Sequence, residues 1–295
     1  MRILAFSDVR RWEGYEEILD MVKPDVVCLA GDLTSDGGAA FWSKALTQIP
    51  AYRQEVIEKL RELGVEFVWE EHVPYPSIMI SPLDPRRLMV MKEILSIEEK
   101  YRKSREFHEI VKRIHVEKFY HFLEYAGRRS RVLVVRGDHD YDFEGDYDVN
   151  RINGIPGCSE ISGRFVEIGG MRFLGLGFEE THYRQKLREI VAMYRGRVDV
   201  VVAHSELSRI PIIAELKPKL IIGGHFLSGK YLVNNIPAAF TAGIKYAVID
   251  IDQDAPPKIT LYDYRGNIVK PEAEQRFRRR LYERYEWLKP YPEDI

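Results

Sequence analysis

Short apolar runs that stop abruptly at a polar motif recur along this chain. Residues 2–7 (Arg-Ile-Leu-Ala-Phe-Ser) have the composition of a buried strand, and Asp8 follows at once. Tyr15, Ile18, Leu19 and Val22 then fall at helical spacing, which predicts a helix over 15–22. Pro24 stops that helix, and Asp25 to Ala30 form a second apolar run ending at Gly31-Asp32. The pattern is a β-α-β unit. Its strands are continuously apolar, as parallel strands covered on both faces must be.

The middle of the chain changes period. Residues 40–72 predict a helix followed by a strand at Val65 to Trp69, and the prolines between Pro74 and Pro85 predict a loop. Residues 86–126 contain neither Pro nor Gly and carry three apolar stripes: Leu88, Met91, Ile94 and Leu95; Phe107, Ile110, Val111 and Ile114; Phe119, Phe122 and Leu123. They predict one very long helix or two consecutive ones, closed by Gly127 and followed by a strand over Arg131 to Arg136. The stripes need burial, which this segment would find by covering a site or by forming a dimer interface. From residue 161 short strands dominate. Phe165 to Ile168 and Met171 to Leu176 flank Gly169-Gly170 as a hairpin. A helix over 184–195 and strands at Val198–Ala203, Leu220–Ile222, Tyr231–Asn234, Tyr246–Ile251 and Ile259–Tyr264 follow, with a final charged helix over 271–288. Strand-helix alternation giving way to strands predicts a layered α/β sandwich. It would occupy residues 1–270, with a helical insertion at about 74–129 and a charged tail over 271–295.

Composition narrows the chemistry. A net charge of −2 gives no general attraction to nucleic acid or anionic membrane. The segment 84–129 is locally basic, yet its eight acidic residues among twelve basic ones favour a solvated face over a nucleic-acid contact. The basic cluster Arg276 to Arg280 is likewise offset by nearby glutamates. Charged residues make up 31% of the chain while Asn and Gln total ten, a balance that leans toward a thermophile. Two cysteines, Cys28 and Cys158, make no disulfide framework, and no apolar run reaches membrane-spanning length. The expectation is a cytoplasmic protein.

Five polar motifs remain, the main ones at strand ends: Ser7-Asp8-Val9-Arg10, Gly31-Asp32, Gly137-Asp138-His139-Asp140, Ala203-His204-Ser205 and Gly223-Gly224-His225-Phe226-Leu227. In open α/β sheets ligands gather beyond the carboxyl ends of strands. Carboxylates and imidazoles collected there suit a divalent transition ion such as Mn, Fe, Zn or Ni.

The order and type of these motifs resemble the calcineurin-like metallophosphoesterases, whose pattern is D-x-H, GD, GNH[DE], H, GHxH. The resemblance runs from residue 3 to about 263 and implies a four-layer α/β/β/α sandwich of two mixed sheets. It also implies a metal site at each of two ligand sets. Carried over by position, one set is complete: Asp32, Asp138, His204 and His225. The other keeps Asp8 and Asp32, but Arg10 and Leu227 stand where the family has histidines. Three aspartates and Arg10 with one divalent ion come to no net charge, where two aspartates and two ions come to +2. The expectation is therefore one tightly bound metal, with Arg10 as a partial substitute for the second cation.

By the same resemblance, His139 would protonate the leaving oxygen and Asp140 would orient His139, while metal-activated water attacks phosphorus. The implied activity is a metal-dependent phosphoesterase acting on phosphodiesters or nucleotides. The alternative is an inert binding or scaffold protein that keeps the fold. His139 can equally be read as a structural partner of Asp140, and Glu206 and His182, conceivable replacement ligands, as surface residues.

Overall fold

A computed structural model describes residues 1–9, 12–34, 44–69, 76–81, 84–141, 147–242, 244–252, 255–269 and 284–292. The chain opens as β1 (Arg2–Phe6), α1 (Tyr15–Val22) and β2 (Val26–Ala30), with β1 and β2 parallel and buried. A helical region follows: α2 (Lys44–Thr47), α3 (Pro50–Glu62), the short hairpin β3 (Phe67–Val68) and β4 (Ser77–Ile78), then α4 (Pro85–Arg102), α5 (Arg105–Val111), a π-helical turn at Lys112–Val116 and α6 (Glu117–Gly127). The Gly- and Pro-free stretch is thus divided. Ser104 accepts a hydrogen bond from the Phe107 amide, 3.1 Å, and so caps α5 where a continuous helix would have run on. Asp84 caps α4 in the same way, with Pro85 in its first turn.

Most of the three apolar stripes is buried inside the chain, but Leu88 of the first is 65% exposed. Val90, Ile94 and Ile97 of α4, with Phe107, Ile110 and Val111, enclose a core with Tyr52, Val56 and Leu60 of α3. Phe119, Phe122 and Leu123 of α6 pack instead against Leu4, Phe6, Val27 and Leu29 of the first sheet. The helical region therefore has a core of its own drawn from residues 45–111, starting earlier than the predicted insertion, and α6 belongs to the sandwich. The second and third stripes are thus covered within the chain, while Leu88 and its neighbour Met89 stay exposed.

Beyond α6 come β5 (Arg131–Val135), α7 (Val149–Gly154), β6 (Cys158–Glu160), the hairpin β7 (Phe165–Ile168) and β8 (Met171–Leu176), α8 (Phe178–His182), α9 (Arg184–Tyr194), β9 (Val200–Ser205), α10 (Ile210–Ala214), β10 (Leu220–His225), β11 (Ser228–Val233), β12 (Ile236–Thr241), β13 (Tyr246–Asp250) and β14 (Lys258–Tyr262). Most of the predicted tail helix lies outside the described residues. Its last turn is corrected: Leu288 begins β15 (Leu288–Pro290), which pairs antiparallel with β11 and buries Leu288. Edge pairing satisfies backbone groups there that a helix would have satisfied within itself.

Two mixed sheets result. The first runs β14-β13-β1-β2-β5-β6 and the second β15-β11-β12-β10-β9-β8-β7. Ile3, Cys28, Leu133, Phe173, Val202 and Ile222 from both sheets share one core, so the sheets pack face to face. Leu187 and Val191 of α9 and Ile210 and Ile213 of α10 cover the far side of the second sheet. Cys28 and Cys158 are free thiols, both buried. Among the described residues no helix is long and apolar enough to cross a membrane.

Trp12 fastens the loop after β1 to the loop after β2. Its Nε1–H donates to the Leu33 carbonyl at 3.0 Å, and its ring stacks on Phe122 with centroids 5.0 Å apart. Trp12→Phe strands that carbonyl and should cost about 1–2 kcal/mol. Urea denaturation reads the cost; an unshifted midpoint would show that the bond contributes nothing.

Candidate metal centre

Four side chains meet where β2, β5, β9 and β10 end. Asp32, Asp138, His204 and His225 each offer a ligand atom, and these atoms all lie within 4.8 Å of one another. His204 Nε2 lies 2.8 Å from Asp138 Oδ1, 3.1 Å from His225 Nδ1 and 3.5 Å from Asp32 Oδ1. His225 Nδ1 lies 3.1 Å from Asp138 Oδ1. Two carboxylates and two imidazoles converging on one point are a donor set that fits a divalent transition ion.

The backbone brings them together at some expense. Asp32 and His225 both adopt left-handed conformations, with φ of 57° and 82°. Such residues cost roughly 1–3 kcal/mol each and persist only where surrounding contacts enforce them. Two glycines admit the crowding. A Cβ on Gly31 would meet His204 Nδ1 at 2.3 Å, and one on Gly137 would meet Asp32 Oδ1 at 2.1 Å.

The next layer of contacts orients the ligands. The Ala30 carbonyl can only accept, so His204 Nδ1, 2.8 Å away, carries the proton and turns Nε2 toward the cluster. The Thr181 hydroxyl donates to the His204 carbonyl at 2.8 Å. Asp8, expected as a metal ligand, is not among the four. Its Oδ2 accepts from the His225 backbone amide at 3.0 Å, fixing that residue's left-handed turn. The Asp8 and Val9 amides donate in turn to the Gly31 and Asp32 carbonyls, both at 3.0 Å. Arg10 lies outside the described residues. Leu227 is buried in the outer core of the second sheet, so the position that the resemblance aligns with a histidine ligand serves packing. His182 and Glu206 face each other at 3.8 Å, both partly exposed, and neither joins the four.

Asp140 departs from expectation. Oδ1 accepts from the amides of Leu33 (2.7 Å) and Thr34 (2.9 Å) and from the Thr34 hydroxyl (3.0 Å). Oδ2 accepts from the amides of Asp32 (3.0 Å) and Gly137 (2.8 Å). With five donors on two buried oxygens, Asp140 holds the Asp32 loop rather than the His139 imidazole. His139 donates its backbone N–H to Asp32 Oδ1 at 3.0 Å, and its ring, about one-third exposed, sets Nε2 3.5 Å from Asp138 Oδ2.

The protonation of this cluster follows from burial and crowding. Burial pushes the Asp32 carboxyl up to about 7; the His204 charge opposes that rise, and Asp140, Asp8 and Asp138 add to it. Burial also works against a charged His204, but Asp32, the bond to Asp138 and the charge of Asp8 outweigh it and lift His204 to about 10. Burial would raise Asp138, yet hydrogen bonds and charges from His204 and His225 hold it well below the usual carboxylate range. The cluster without metal thus holds a proton where a cation would sit.

Among solved structures, one chain matches at 15% identity over 89% of this chain and 98% of its own length, with a TM-score of 0.49. The crystal structure of TT1561 of Thermus thermophilus matches at 9% identity over 88% of this chain and 97% of its own, with a TM-score of 0.46. Neither likeness assigns a family or an activity. No family model matches the chain, and no curated protein matches it.

Proposed function

We propose that this chain is a metal-dependent phosphoesterase, a divergent member of the calcineurin-like metallophosphoesterases built as a four-layer α/β/β/α sandwich. The observation that carries the reading is the convergence of Asp32, Asp138, His204 and His225 within 4.8 Å at four strand ends. These residues would hold one divalent ion, with Asp8 and Asp140 fixing the loops that present them. A bound ion would acidify water and polarise the phosphoryl group. His139, partly exposed beside Asp138, delivers a proton to the leaving oxygen. Arg10, two positions after Asp8, offers a permanent positive charge to a phosphate oxygen. The substrate is a phosphodiester or a nucleotide.

Elemental analysis of protein purified without chelator tests the centre, alongside hydrolysis of an aryl phosphodiester in excess Mn. Near one transition metal per chain and slow, Mn-dependent hydrolysis are expected, both lost in His225→Ala. No metal and no hydrolysis in the unaltered protein would overturn the proposal. Two tightly held ions would overturn the single-site form of it. One ion with no hydrolysis of any phosphate ester would favour a binding protein.

A further inference from the structure

Phe226 is 65% exposed, the most exposed phenylalanine among the described residues. Its placement follows from its neighbours. β10 ends at His225, whose left-handed turn reverses the chain, and Leu227 then enters the outer core. The ring between them is driven outward. It settles against the cluster, its centroid 3.8 Å from that of His225 at an interplanar angle of 67°. A second ring approaches the same imidazole from another element: Phe178, at the start of α8, lies 6.3 Å from His225 and 5.0 Å from His182. The Phe178 amide is anchored on the Arg136 carbonyl at 2.9 Å, just before the Gly137-Asp138 pair.

A single exposed phenylalanine is ordinary. One adjoining a group of buried and half-buried carboxylates and imidazoles is less so, since the surroundings favour water and the ring does not. Such a ring recovers its hydration cost when a flat apolar group covers it, and aromatic faces accept planar partners in offset or edge-on geometry. We propose that Phe226, against His225, forms an aromatic lip that selects phosphate esters carrying a planar aromatic group, a nucleobase above all, with the phosphate at the four-residue cluster. The inference rests on the phosphoesterase reading and adds a specificity-determining residue to it. Stacking tolerates every base, so the lip favours nucleotides over sugar phosphates without choosing among bases.

Calorimetric titration of the Mn-loaded protein with AMP and with ribose 5-phosphate separates the two ideas, because ribose 5-phosphate keeps the sugar and phosphate and carries a hydroxyl in place of the base. The unaltered protein should prefer AMP by about tenfold or more, the scale of one base stacked on one aromatic ring. Phe226→Ala should bring the ratio near unity, and Phe226→Trp should preserve it. Equal affinities in the unaltered protein, or a preference that survives Phe226→Ala, would overturn the lip while leaving the phosphate site standing. Failure of AMP, ribose 5-phosphate and inorganic phosphate alike to bind would overturn both.

Discussion

Asp140→Ala should lower stability by about 3–5 kcal/mol and abolish metal binding at the proposed centre, although Asp140 is not one of the four candidate ligands. The substitution strands four backbone amides and one hydroxyl that converge on the carboxylate. Each buried donor left without a partner costs about 1–3 kcal/mol, partly recovered where water enters the space. Three of the amides belong to successive residues, Asp32 to Thr34, so the carboxylate closes a concave run of N–H groups around one anion. Without it the left-handed turn at Asp32 loses its restraint, and the ligand it presents moves. Asp140→Asn is the sharper variant. Its carbonyl can keep one set of donors while its amide nitrogen opposes the other, so an intermediate loss is expected. Had Asp140 served only to hold the His139 proton, the Asn variant would keep its stability and lose turnover alone. Chemical denaturation with metal analysis decides, and an Asp140→Ala midpoint equal to that of the unaltered protein would sink the argument.

The same residue shows where sequence reading stops. The candidate cluster is legible because Asp32, Asp138, His204 and His225 each follow an apolar run, and parallel strands deliver their carboxyl ends to one edge. Asp140 defeats such reading because its sequence neighbour His139 suggests a local partner, whereas its actual donors lie mainly 106 to 108 residues away. Asp8 also has a distant partner: with φ at 51°, its Oδ2 accepts from a backbone amide 217 residues away. Among the strands, β12 is concealed because Pro237 and two alanines look unlike a strand, though Asn234-Asn235 just before it is a readable hairpin signal. Both asparagines have positive φ, as a two-residue primed turn requires. The break at Ser104 is also readable as a cap. The helical core over 45–111 is not, since burial of a stripe says nothing about which surface buries it.

Metal affinity should climb steeply with pH, because the ion and a proton compete for the same nitrogen. Without metal, His204 is raised from 6.5 to about 10 and Asp32 from 3.8 to about 7. Both folded-state values lie above the unfolded ones. The stability each contributes is therefore fully present below its unfolded value, and is lost as pH rises through about 7 for Asp32 and about 10 for His204. The metal-free protein should accordingly weaken from mildly acidic to alkaline pH as far as these groups decide it. Binding an ion reverses this, since the lone pair on His204 Nε2 is released only when its proton leaves. Between pH 7 and 9 one proton is displaced per ion, so apparent Mn affinity should rise about tenfold per pH unit; below 7, Asp32 adds a second proton and the slope steepens. The rise in melting temperature on adding Mn should grow in step. Titration against a fluorescent chelator at several pH values measures the slope directly. A flat response between pH 7 and 9 would mean that His204 holds no proton for the ion to displace. His204→Gln should weaken binding and shift the steep region, because Asp32, freed of the opposing His204 charge, rises further and becomes the group whose proton the ion displaces; an unchanged pH profile would place the titrating group elsewhere.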